Sequence, residues 1–96
     1  MMLVVTYDVN TESPEGSKRL RAVAKLCERY GIRVQNSVFE ILVDGAQLAV
    51  LKKSLLQTID PKQDSIRFYQ LGNNYQKRID KIGNTPNVEV GNELIL

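Results

Sequence analysis

The stretch that most constrains this chain is its opening, Met2 to Asn10 (MLVVTYDVN), which runs apolar through Val5 and then presents Tyr7, Asp8 and Asn10. It reads as a buried strand that surfaces at its C-terminal end, so the other elements must pack over it. A carboxylate at such a point is a candidate metal ligand or base, because loops held by a rigid scaffold commonly carry function. Aspartate is also an ordinary residue at a turn. The residues alone leave both readings of Asp8 open.

Downstream, Asn10 to Gly16 reads as a loop, with Ser13 as N-cap and Pro14 at the first helical position. From about Ser17, Leu20, Val23, Ala24, Cys27 and Tyr30 recur at helical spacing, and Gly31 is placed to end that helix. Cys27 falls on the apolar face and reads as an inert core thiol. Ile32 to Val43 is rich in β-branched residues and reads as one long strand. Its parity changes on the way: Ile32 and Val34 share one face, and Phe39, Ile41 and Val43 the other. A bulge or kink at Gln35-Asn36-Ser37 reconciles the halves, unless Val38 and Leu42 face a second apolar surface.

Asp44 and Gln47 form a capping pair for a second helix, whose stripe is Leu48, Leu51, Leu55 and Ile59 and whose end is Asp60-Pro61. Asp64 to Leu71 returns to strand character, followed by a turn at Gly72-Asn73-Asn74. A weak strand at Arg78 to Ile82 and an apolar Leu94-Ile95-Leu96 complete the chain. The expected class is α+β: a small open sheet with two helices on one face and the other face free to dimerise. A ferredoxin-like βαββαβ order requires a hairpin between the helices, which a kink at Gln35-Asn36-Ser37 does not supply. The order read from the residues is therefore a variant, β-α-β-α-β-β.

Ninety-six residues suit one domain, 1–96, with a modest core that an oligomer would supplement. No apolar run nears the roughly 18 residues that cross a bilayer and no signal-peptide pattern opens the chain, so the expectation is a cytoplasmic protein without a membrane partner. There is no histidine and one cysteine. Ser-His-Asp, Cys-His and imidazole–metal chemistry are thereby excluded, leaving carboxylates, a hard cation such as Mg²⁺, hydroxyls and cationic side chains. The net charge is only +2, yet Lys18, Arg19, Arg21, Lys25, Arg29 and Arg33 face only Glu28 in the same stretch. Lys18, Arg21, Lys25 and Arg29 share one helical stripe, either a phosphate-binding face or a solvated one.

Tyr7-Asp8 closing the first strand, the basic first helix and the block Arg33-Val34-Gln35-Asn36-Ser37-Val38-Phe39-Glu40, in that order, resemble the CRISPR-associated "Cas two" family over nearly the whole chain. The resemblance implies a ferredoxin-like fold and a symmetric homodimer, with a C-terminal strand, here Leu94, Ile95 and Leu96, exchanged onto the partner's sheet. It implies a partner in the CRISPR integrase during spacer acquisition, and Mg²⁺-dependent cleavage of single-stranded RNA or duplex DNA. By position, Asp8 matches the family's metal-binding aspartate, one from each protomer across the dimer axis. Mg²⁺ accepts one or two carboxylates and keeps its waters, so such a pair suffices.

Within that resemblance, Tyr7 and Ser37 are expected to orient a phosphate or water. Phe39 is expected in the core or at the dimer seam. Lys18, Arg19, Arg21 and Arg33 are the expected nucleic-acid contacts. Two facing carboxylates repel, so a weak cation site is expected, filled at raised pH or Mg²⁺. The alternative function is a non-catalytic DNA-binding scaffold of the integrase complex. A ferredoxin-like small-ligand module is disfavoured by the absence of a glycine-rich ligand loop.

Overall fold

The computed structural model describes residues 1–86. Leu94, Ile95 and Leu96, and with them the expected strand exchange, lie outside the described residues. The opening stretch forms β1, Met2–Asp8, in the middle of a four-stranded antiparallel sheet. It is followed by α1 (Pro14–Glu28), β2 (Gly31–Gln35), β3 (Val38–Leu42), α2 (Gly45–Thr58), β4 (Ser65–Gly72) and a short 3₁₀ helix, Tyr75–Arg78. The strand order is β2-β3-β1-β4. That is the ferredoxin-like arrangement, with β1 hydrogen-bonded on both sides, to β3 and to β4.

The single long strand expected over Ile32 to Val43 is two strands. Residues Asn36 and Ser37 are a two-residue turn between β2 and β3. The parity switch read as a kink was the mark of a hairpin: a reversal resets which residues face the core, as a bulge also does. With that hairpin between the helices, the variant order gives way to βαββαβ. An irregularity does survive beside the turn, between Arg33 and Gln35 in the β2–β3 register.

Alternation decides the core. Leu3, Val5 and Tyr7 of β1 lie with Phe39 and Ile41 of β3 in one buried cluster with Val23, Ala24 and Cys27 of α1 and Leu48, Leu51 and Leu55 of α2. Both helices therefore cover one face of the sheet, and Phe39, fully buried, belongs to the core. Burial in that cluster pushes the Cys27 thiol up to about 11, which keeps it protonated and inert at neutral pH. Each buried Val, Leu, Ile or Phe of this cluster contributes about 1.5–3 kcal/mol on burial. The other face, with Val4, Thr6, Asp8, Glu40, Leu42, Arg67 and Tyr69, carries no helix.

Both helices are N-capped as their sequences require, but Gly31, expected to end the first helix, opens β2 instead, and Arg29 is the C-cap of α1. Ser13 Oγ accepts from the Gly16 N–H at 3.1 Å, and Asp44 and Gln47 form a full capping box. The first helix starts at Pro14, three residues earlier than its apolar period, and takes in Gly16. A β-carbon at Gly16 would collide with the Asn10 carbonyl oxygen, so glycine there lets α1 close onto the loop after β1. The strand expected at Arg78 to Ile82 does not form. Arg78 closes the 3₁₀ helix, and the residues from Ile79 to Ile82 and from Asn84 to Pro86 instead line a cleft of about 340 Å³ with Val34, Gln35 and Glu40.

Two glycine substitutions separate close packing from backbone entropy. Gly16→Ala should lose about 1–3 kcal/mol of unfolding free energy. Gly45→Ala, where an added β-carbon meets open space, should be neutral or stabilising by up to about 1 kcal/mol. Urea denaturation reads both, and an equal loss at the two sites would contradict the packing assigned to Gly16.

Candidate metal and nucleic-acid site

Asp8 ends the central strand and is exposed, pairing with Ser65 as the last rung of the β1–β4 ladder. Tyr7, next to it, points the other way because successive side chains of a strand alternate faces. Tyr7 is buried on the helix side, where its ring stacks on Phe39 with centroids 6.2 Å apart. Its hydroxyl makes a long 3.5 Å contact to the Asn36 carbonyl. Burial raises the Tyr7 phenol above its ordinary value, and the neighbouring Arg33 guanidinium only partly offsets this. Tyr7 and Asp8 of one chain thus do not meet at a single reacting group.

Ser37 joins the site through its backbone: its carbonyl accepts from the Tyr7 N–H at 3.1 Å, extending the β1–β3 pairing into the hairpin turn. Its half-exposed side chain remains at the same end of the sheet as Asp8. Of the expected nucleic-acid contacts, Lys18 and Arg21 are exposed on α1, as are Lys25 and Arg29. Arg33 is exposed too, with its guanidinium 5.4 Å from the centre of the Phe39 ring.

Arg19 has another task. Its Nε lies 2.7 Å from Asp64 Oδ2, and its Nη2 donates at 3.4 Å to both Asp64 Oδ1 and the Asn10 carbonyl. The Asp64 side chain is wholly buried and that of Arg19 partly so, at 17% exposed. A guanidinium held in this way is not a free phosphate contact, which sets Arg19 apart from Lys18, Arg21 and Arg33. The sequence pattern gave no sign of this: Arg19 lies among exposed basic neighbours, and its partner is 45 residues away.

Two residues on Asp8's face were not expected. Arg67 pairs with Thr6 and so lies diagonally beside Asp8, and its Nη1 donates to the Tyr69 hydroxyl at 3.2 Å. Tyr69, opposite Val4, is 47% exposed. The alternation of Ile66 and Phe68 with Arg67 and Tyr69 carried the signal, once the register with β1 is known. The basic stripe of α1 lies on the helix side of the sheet, and Asp8 lies on the open side.

Among the described residues no three Asp, Glu or Cys side chains gather to hold a metal ion. Asp8 stands outside the Arg19–Asp64 ion pair and offers a hard oxygen donor to solvent. One carboxylate per chain fits Mg²⁺ in number and chemistry when a second chain supplies another.

This topology, with an acidic strand end and a basic helix, defines a small ferredoxin-like domain of α+β class. The chain belongs to the family described as CRISPR associated protein Cas2, whose model matches residues 1–79. It is 52% identical over 95 residues to the CRISPR-associated endonuclease Cas2 of Halalkalibacterium halodurans, covering 99% of each chain. It is 55% identical over 95 residues to a CRISPR-associated endoribonuclease Cas2 of Rhodospirillum rubrum, covering 99% of this chain and all of that one. The crystal structure of Streptococcus pyogenes Cas2 at pH 6.5 superposes with a TM-score of 0.77 at 61% identity, over 86% of this chain and 100% of the other. A chain in a partial Cas6-RT-Cas1–Cas2 complex matches with a TM-score of 0.69 at 26% identity, over 99% of this chain and 98% of that one.

The buried pair sets an acid limit on stability. The hydrogen bond from Arg19 holds the Asp64 carboxyl below its ordinary value, against the opposing effect of burial. Its stabilising contribution is therefore complete above the unfolded-state value of about 3.9 and is lost as pH falls through the lower folded value. Stability measured by denaturant between neutral and strongly acid pH should fall on the acid side, and Asp64→Asn should flatten that limb. An unchanged acid limb in Asp64→Asn would contradict the assignment.

Proposed function

We propose that this protein is a homodimeric CRISPR adaptation nuclease in which two copies of Asp8, one from each protomer, hold a Mg²⁺ ion between the uncovered sheet faces. The observation that carries the reading is the placement of Asp8: exposed, at the end of the central strand, on the face that neither helix covers. Half-buried Val4 and Leu42 and exposed Tyr69 on that face favour a second copy as its cover. The relatives named endonuclease and endoribonuclease support phosphodiester hydrolysis, and the complex containing Cas1 and Cas2 supports a Cas1-type integrase as partner.

A bound Mg²⁺ supplies a water of lowered pKa and polarises a phosphodiester, so no histidine is needed. Asp8 holds the ion. Ser37 lies at the same end of the sheet, where its hydroxyl is available to a phosphate oxygen or a water. Tyr7, turned to the core, fixes β1 against Phe39 and the hairpin. Lys18, Arg21 and Arg33 provide exposed positive charge for the backbone of RNA or duplex DNA.

A second reading has an observation of its own. The basic stripe and Asp8 lie on opposite faces of the sheet, so the nucleic acid that α1 binds need not be the one cut. In that reading the dimer is a scaffold that positions DNA for the integrase, and Asp8 takes no part.

The two readings part on Asp8→Ala. The nuclease reading predicts a loss of Mg²⁺-dependent cleavage of about a hundredfold or more, with nucleic-acid binding retained. A wild type that cuts neither RNA nor duplex DNA across a pH and Mg²⁺ series, yet supports spacer acquisition, would leave the scaffold. For binding, Lys18→Glu with Arg21→Glu should weaken affinity for duplex DNA and lower the salt slope by about 0.9 for each phosphate that is no longer neutralised. Unchanged binding at low salt would remove α1 from the interface.

A further inference from the structure

Asp64 is the only buried charged side chain among the described residues, and it gathers three separate segments of the chain. Its Oδ1 accepts from the Asn10 N–H at 3.0 Å, and its Oδ2 accepts from the Asp60 N–H at 2.9 Å. Arg19 closes the arrangement from α1, binding both carboxylate oxygens and the Asn10 carbonyl. Both peptide groups of Asn10 are therefore tied down. Asn10 also orders the turn that follows, since its Oδ1 accepts from the Glu12 N–H at 2.9 Å.

This cluster lies two residues from Asp8 on one side and one residue from its cross-strand partner on the other. Asp8 pairs with Ser65, and Asp64 immediately precedes Ser65. Only Val9, itself buried, separates Asp8 from Asn10. A strand end frays unless something holds it, and here the Asp64 carboxylate bridges the two chain segments that diverge beyond the last rung.

Stability alone is a poor reason for such a pair. Desolvating two charges offsets most of their attraction, and a well-packed apolar pair of the same volume serves as well or better. Directed hydrogen bonds offer what an apolar pair lacks, a fixed backbone direction. At a site built across a two-fold axis this matters twice over. A displacement of Asp8 in one chain is repeated in the other, and the spacing between the two carboxylates changes by up to twice that amount, against a tolerance of about 0.5 Å.

We infer that Asp64, clamped by Arg19, is a positioning residue for the Asp8 carboxylate, holding the end of β1 in the geometry that a shared cation requires. The inference rests on the reading of Asp8 as a cation ligand. It also gives the basic residue Arg19 a role in the same site without contact to nucleic acid.

Asp64→Asn keeps the side chain's shape and removes its charge. In the metal-free full chain, amide exchange read residue by residue by NMR should accelerate about tenfold or more at Val9 and Asn10, with Ile41 and Leu51 following global stability only. At a temperature where the variant is folded, its Mn²⁺ affinity, read by water-proton relaxation, should fall about tenfold. Leu48→Val, a core change on α2 far from the strand end, should leave Mn²⁺ affinity unchanged. If Asp64→Asn does not fold, Arg19→Lys gives the same readouts, because it keeps the charge and loses the fork that reaches both Asp64 and Asn10. Unchanged exchange at Val9 and Asn10 in the folded variant would overturn the inference, as would an equal loss of Mn²⁺ affinity in Leu48→Val. Should the wild type bind no Mn²⁺, the cation reading of Asp8 fails, and the exchange at Val9 and Asn10 alone decides whether Asp64 fixes the strand end.

Discussion

The structure depends on the two-sided hydrogen bonding of β1. Because β3 and β4 both pair with it, its backbone cannot rotate, and the alternation of a strand then assigns each residue to one face without exception. Leu3, Val5 and Tyr7 go to the helices, and Thr6 and Asp8 go to the open side. A one-residue slip would bury Asp8 and expose Tyr7, at a cost the core would not tolerate. The polar site is therefore held by the same apolar contacts that hold the fold.

That division separates the roles of neighbouring residues. Tyr7 supports the end of β1 from below by stacking on Phe39 and by its backbone bond to Ser37, and its side chain does not share the face of Asp8. The exposed cations of α1 lie on the opposite face from Asp8, so the two can be altered independently of each other. Beyond the last rung the buried Val9 still packs into the core, and the Asp64–Arg19 pair adds directed hydrogen bonds to Asn10.

Much of this was legible in the residues. Both helices, their N-caps and their buried stripes followed from spacing, as did β1 and the core identity of Cys27. The family resemblance rested on Tyr7-Asp8 and on Arg33 to Glu40, and the matching family model covers both. The hairpin at Asn36-Ser37 was missed because a parity switch has two physical causes, and the turn lacks the glycine that marks the commonest two-residue hairpins. The Arg19–Asp64 pair was missed for another reason. Local periodicity does not report a contact between residues 45 apart, and Arg19 stands among exposed cations that resemble it in composition. Arg67 and Tyr69 were hidden likewise, since only the β1–β4 register places Arg67 beside Asp8 and Tyr69 further along the same face.

The central claim is that the functional unit is a pair of Asp8 carboxylates contributed by two chains. The stoichiometry of Mn²⁺ binding tests it most directly, with the full-length chain titrated above its dissociation constant and the chain count fixed by sedimentation. One ion is expected for every two chains, lost in Asp8→Ala while the dimer persists. One ion for each chain, or binding that survives Asp8→Ala, would contradict it.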